Sequence, residues 1–170
     1  AAKASRKAKP DKAFKAPGES AASQPFTRAQ AASLQALITP APGDQLLPSA
    51  GADGGIRLFP EHWAPWLPLF LSRLQVMSAG IEAAEIKGHD LIPTQQLALS
   101  RRLNPQAAVT VETDRDTALD YLAREAVTLP EGTPRGHVLL TYGGRPLGFV
   151  KNLGNRVNNL YPKEWRIRCR

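Results

Sequence analysis

Between residues 145 and 168 the chain gathers the groups that grip a polyanion. Arg145, Lys151, Arg156, Lys163, Arg166 and Arg168 supply cations, Asn158 and Asn159 supply amides, and Phe149, Tyr161 and Trp165 supply flat rings. Cations spaced along a surface neutralise phosphates and release counterions, which binds RNA without reading its sequence. Flat rings stack on unpaired bases, and an amide can donate to and accept from a base edge or a 2′-hydroxyl. A plainer reading makes the rings core and the cations a solvated rim. Apolar aromatics in strands mostly bury, which assigns Phe149 and Trp165 to the core; Tyr161 is open to either reading. For the cations, their segregation along the chain favours a nucleic acid.

Groups for other chemistry are missing or misplaced, so no catalytic residue and no metal site is expected in these 170 residues. The single thiol, Cys169, cannot form an internal disulfide or a cysteine-based zinc site. His62, His89 and His137 have no partner at ligand spacing, and Glu61-His62 lacks the second histidine of a zincin helix. Asp114, Asp116 and Asp120 could be read as acid–base carboxylates, but they suit the first turn and solvated face of a helix better. Gly51, Gly54 and Gly55 precede a strand, whereas a nucleotide-binding glycine loop follows one.

The elements that must position the cationic residues follow from punctuation and periodicity. Residues 1–16 hold six basic residues against one acid and residues 145–170 hold seven against one, so with a net charge of +7 the stretch between them is acidic. Residues 1–25, rich in Ala, Lys, Ser and Pro, cannot bury enough apolar surface to offset their ordering entropy and read as a disordered basic linker or tail. Thr27 and Gln30 have capping-box spacing, and Ala31, Leu34, Leu37 and Ile38 then share a helical face. Residues 40–55 read as loop, Ile56–Phe59 as a strand stopped by Pro60, and 61–72 as ambiguous, broken by Pro65 and Pro68. Val76–Lys87 reads as extended with a bulge at Gly80. Pro93 opens a helix of roughly ten residues, Val109–Val111 is a short strand, and a third helix starts at Thr113–Asp116. From His137 the period changes to two. Strands at His137–Tyr142 and Leu147–Leu153 are joined by Gly143-Gly144, a turn whose residues both accept positive φ. Gly154-Asn155 turns into a third strand at Val157, and Trp165–Arg168 is a candidate fourth. Trp63 and Trp66, set among prolines, are expected in the core or against another domain, and Gly148 is expected to admit a neighbouring group closely.

The run from Gly144 to Arg166 resembles the PUA-like RNA-binding module that closes the Nop/Sun-type, RsmF-like rRNA cytosine-C5 methyltransferases. Pro146-Leu147-Gly148, Lys151, Asn158 or Asn159, Tyr161-Pro162-Lys163 and Arg166 match that family's pattern, and Phe149 stands where the family usually has Trp. A looser match runs upstream. It takes in Ile56–Pro60, Ser78-Ala79-Gly80-Ile81 with Glu85-Ile86-Lys87, and Pro93-Thr94 with Leu97-Ala98-Leu99; Gln95 stands where the family often has His. The likeness covers roughly residues 27–168. It implies that the catalytic domain, with its S-adenosylmethionine, its glycine-rich loop and its paired cysteines, lies upstream and outside this chain. A first residue of Ala1 in place of Met fits a fragment or processed chain. No cofactor is expected within these residues.

The expected fold is α+β: a basic tail (1–25), a mixed helix/strand portion (26–130), and a β-meander (131–170) that completes a small PUA-like mixed β-barrel. The expected function is RNA binding, with Arg145, Lys151, Arg156, Asn158, Asn159, Tyr161, Lys163, Arg166 and Arg168 as the binding set. The expected partners are ribosomal RNA and the upstream methyltransferase domain of the same protein, with the catalytic domain methylating the RNA that this region positions. A protein–protein or domain-docking module with no RNA contact is the other reading. The longest apolar stretch falls far short of the ~20 residues of a membrane span. With no secretory signal and one cysteine, the expected compartment is the reducing cytoplasm.

Overall fold

The structure is a computed structural model that describes residues 27–39, 41–48, 55–88 and 90–168. The expected tail of 1–25 therefore lies outside the described residues, as do His89 and Cys169.

The chain opens with helix α1, Arg28–Ala36. Thr27 accepts from the Gln30 amide at 3.2 Å, while the Gln30 side chain accepts from the Thr27 N–H at 2.8 Å. This reciprocal box satisfies two N–H groups that the first turn of a helix leaves orphaned. Strands β1 (Asp44–Pro48), β2 (Gly55–Pro60), β3 (Ile81–Lys87) and β4 (Asp90–Pro93) follow and form an antiparallel sheet in that order. A short 3-10 helix at Glu61–Trp66 and helix α2 (Leu67–Arg73) lie between β2 and β3. Helix α3 (Gln95–Ala98) follows β4, capped by the Thr94 hydroxyl on the Leu97 amide.

A second four-stranded sheet takes β5 (Val109–Glu112), β6 (Gly136–Tyr142), β7 (Arg145–Asn152) and β8 (Val157–Asn159), also in chain order. β5 runs parallel to β6. Parallel neighbours need a crossover, and that link carries helix α4 (Arg115–Ala123), whose N-cap Asp114 accepts from the Thr117 amide at 2.8 Å. β6 and β7 turn back on Gly143 (φ +58) and Gly144 (φ +71), both left-handed as the turn requires. Alternation along these central strands divides the core. Leu139 and Phe149 face the first sheet and pack with Leu34, Ile56, Leu58 and Ala83. Val138, Leu140 and Val150 face the other way and pack with Tyr121 and Val127.

Several expectations need correction. The two sheets are open; no strand pairing closes a barrel among the described residues. Residues 44–48, expected as loop, form β1, because β2 offers them a free edge on which Pro48 can end the strand. The helix expected from Pro93 shrinks to four residues. Residues 90–93 instead pair with β3, and Leu103 folds back to bridge Ile38 and bury. Residues 61–72, ambiguous in sequence, are helical, with Pro65 tolerated in the 3-10 turn and Pro68 in the first turn of α2. Trp165–Arg168 is not a strand; Lys163–Trp165 forms a 3-10 turn. No helix among the described residues is long and apolar enough to cross a membrane.

Candidate nucleic-acid interface

Helix α4 ends on Arg124, which takes a left-handed conformation at φ 61. The last carbonyls of a helix have no partner within it, and here the C-terminal segment supplies several. Asn159 Nδ2 donates to the Tyr121 carbonyl at 2.8 Å, and the Ile167 amide donates to the Leu122 carbonyl at 3.1 Å. In return the Arg124 guanidinium donates to the Tyr161 carbonyl, and Asn159 Oδ1 accepts from the Tyr161 amide at 2.9 Å. Residues 159–167 are thus laced across the end of α4, although only β8 within them belongs to a sheet.

A ladder of rings rises from this seam. Tyr121 is fully buried and packs edge-on to Tyr161 at 5.3 Å, and Tyr161 packs edge-on to Trp165 at 6.4 Å. Burial, with Tyr161 beside it, pushes the Tyr121 hydroxyl well above its ordinary value, so it stays protonated. That hydroxyl donates to Gln95 Oε1 at 3.0 Å, and Gln95 Nε2 donates to the Leu147 carbonyl at 2.5 Å. Gln95, buried at 6% exposure, therefore staples α3 to β7 and α4. Gly148 makes this possible: a Cβ there would collide with both the Tyr121 hydroxyl and the Gln95 amide. The close approach expected at Gly148 is a packing contact within the protein.

Between this seam and the β3–β4–α3 edge lies a groove of about 420 Å³. Asn159, Tyr161 and Lys163 of the expected set line it, joined by Arg124, Gln96 and Trp165. Arg166 and Arg168 are exposed just beyond Trp165. The other expected residues lie elsewhere. Lys151 pairs with Asp90 and stands in register with Asn158 across β7 and β8. Arg145 and Arg156 flank opposite ends of β7, roughly 20 Å or more apart at the rise of a strand. Arg145, Arg156, Lys163, Arg166 and Arg168 are exposed and make no ion pair among the described residues.

Phe149 is core at 1% exposure, as its sequence setting implies. Trp165, also expected in the core, is 49% exposed, because the 3-10 turn that carries it has no sheet face against which to bury it. Trp63 and Trp66 are likewise outside the core of the described residues, at 47% and 52% exposure. Sequence reasoning left Trp165, Arg124 and Gln96 out of the site. The basic residue just past the α4 pattern and the ring beside three cations were available signals for the first two; nothing in the sequence singled out Gln96.

Residues 108–167 match the family model described as the methyltransferase RsmF PUA domain. The ribosomal RNA small subunit methyltransferase F of Shewanella baltica is 31% identical over 110 residues, covering 63% of this chain and 22% of the relative. The enzyme of that name from Shewanella oneidensis is 28% identical over 148 residues, covering 82% of this chain and 30% of the relative. The chain therefore spans less than a third of the length of these curated relatives.

Proposed function

We propose that the chain, whose residues 108–167 match the family model of the RsmF PUA domain, is an RNA-binding accessory region of an rRNA (cytosine-C5) methyltransferase. In this reading it holds ribosomal RNA so that a catalytic domain elsewhere in the same protein, carrying S-adenosylmethionine, can methylate it. The observation that carries the reading is the set of uncommitted cations on the C-terminal segment, of which Lys163 lines the groove. Lys163, Arg166 and Arg168 follow one another on the segment laced to α4 and have no carboxylate partner among the described residues. Cations left unneutralised by the protein's own acids are available to phosphates. Lys151, already paired with Asp90, contributes less.

The test is binding of an rRNA fragment followed by fluorescence anisotropy across a salt series. Affinity should fall steeply with salt and weaken in the Lys163→Ala, Arg166→Ala, Arg168→Ala triple variant. Salt-independent binding, or a triple variant that binds as well as the parent, would remove the reading.

A second reading, domain docking, is favoured by one observation. Trp63, Trp66, Leu69, Leu71, Leu74 and Met77 are all exposed on the 3-10/α2 segment and the residues after it, and α2 buries none of its residues. Such a run marks a contact surface more often than a free one. Amide hydrogen exchange at 61–77, compared between this chain and the longer protein, tests it: protection gained only in the longer protein supports docking onto the catalytic domain, and equal exchange dismisses it.

A further inference from the structure

Resting on the RNA-binding reading, we propose that the groove beside Trp165 takes one unpaired nucleobase, so that the module selects RNA with a single-stranded or bulged nucleotide over a continuous duplex. The volume of about 420 Å³ is enough to admit a nucleobase; a duplex could touch only the rim. Its apolar lining comes from Ile92, Leu160, Tyr161 and Trp165. Trp165 is half exposed and packs edge-on to Tyr161, whose backbone Arg124 and Asn159 hold. A half-exposed indole braced on one edge offers its face for stacking.

Charge decides against a phosphate in the groove itself. Glu82, Glu85 and Glu164 line it alongside Lys87, Arg124 and Lys163, so the interior is balanced. A phosphate inside would meet carboxylates, whereas a neutral heterocycle with donors and acceptors on its edge would not be repelled. Gln96 Oε1 is committed to the Glu82 amide at 3.0 Å, which leaves its Nε2 to donate. The Glu164 carboxylate can accept. Every nucleobase carries both functions on its edge, so the groove reads the unpaired state more than the sequence. The flanking phosphates fall to Lys163, Arg166 and Arg168 on the rim.

The full 170-residue chain is titrated with three hairpins that share one stem: one with a single bulged adenosine, one with an abasic residue at the bulge, and one fully paired. The bulged adenosine should bind about tenfold tighter than the other two, the worth of one base stacked on one ring. Trp165→Ala should reduce it to the level of the paired hairpin while leaving the salt-dependent binding of that hairpin in place. Trp165→Phe should keep most of the preference, and Trp63→Phe all of it. Near-UV circular dichroism checks that the variants fold. Equal, salt-dependent binding of all three hairpins would overturn the base pocket and leave the RNA-binding reading intact. A preference that survives Trp165→Ala in a folded protein would overturn it too. Adenosine monophosphate displacing the bulged hairpin at equal concentration would make this a site for free nucleotide and overturn the RNA assignment. Binding to none of the hairpins would sink the RNA-binding reading and the pocket together.

Discussion

Tyr121, Gln95 and Gly148 form one unit whose parts are far apart in sequence. The Tyr121 hydroxyl donates to Gln95 Oε1, and the missing side chain of Gly148 leaves room for that bond. Gly148→Ala would force a methyl group into it, at a φ of +154 that already favours glycine. The variant should lose about 2–5 kcal/mol, from overpacking and backbone strain together; urea unfolding measures it, and a loss within error would refute the packing role. His137 gives a pH signature. Burial, and then the nearby Lys151, hold its imidazole below its ordinary value against the smaller opposing pull of Asp90, and its Nε2 is buried without a hydrogen-bond partner among the described residues. The folded protein therefore binds this proton more weakly than the unfolded chain. No penalty exists above the unfolded value, and stability falls as pH drops through about 6.5 toward the depressed folded value. His137→Leu should flatten the melting-temperature profile between about pH 7.5 and 5.5; an unchanged slope would assign it to other groups.

At the scale of elements, the strongest local signals set the boundaries. The Thr27/Gln30 box opens α1, Asp114 opens α4, and the Gly143-Gly144 pair turns β6 into β7, all as the residues imply. Asp114 is held below its ordinary value by the Thr117 amide, and Asp114→Ala should lower the denaturation midpoint by removing the cap; an unchanged midpoint would mean that tertiary packing alone starts the helix. Short elements with weak signals were not legible. β1 and β4 carry prolines and lack a clean alternation, and they are strands because β2 and β3 have open edges to offer them. α3 is brief because Leu103 must return to Ile38. In each case a partner distant in sequence outweighs the local preference.

Across the whole molecule, the two sheets share one core through Leu139 and Phe149 and one seam through Gln95. The cationic groups legible in the sequence are distributed by that architecture: Lys163, Arg166 and Arg168 follow the seam, Lys151 is spent on Asp90, and Arg145 and Arg156 flank opposite ends of β7. If the rim holds single-stranded RNA, removing Lys163, Arg166 and Arg168 should reduce the slope of log affinity against log salt by about 0.7 for each phosphate that no longer meets a cation, about 2 in all. Arg145→Ala should leave the slope nearly unchanged. Equal changes for the two sets would mean that RNA spreads over the whole sheet and not along the seam.

Residue types and near-neighbour spacing are local properties, and they determined what local physics can reach: the caps, the glycine turns, the two-residue period of β6 and β7, and the family pattern from Gly144 to Arg166. Which side chains meet was decided by tertiary structure alone. Trp165 stands half exposed beside a groove, Arg124 clasps the Tyr161 carbonyl and Gln95 joins the two sheets, because the chain brings residues dozens of positions apart to the end of one helix. That meeting depends on satisfying buried polar groups and filling one core together, a constraint that no short window of sequence contains.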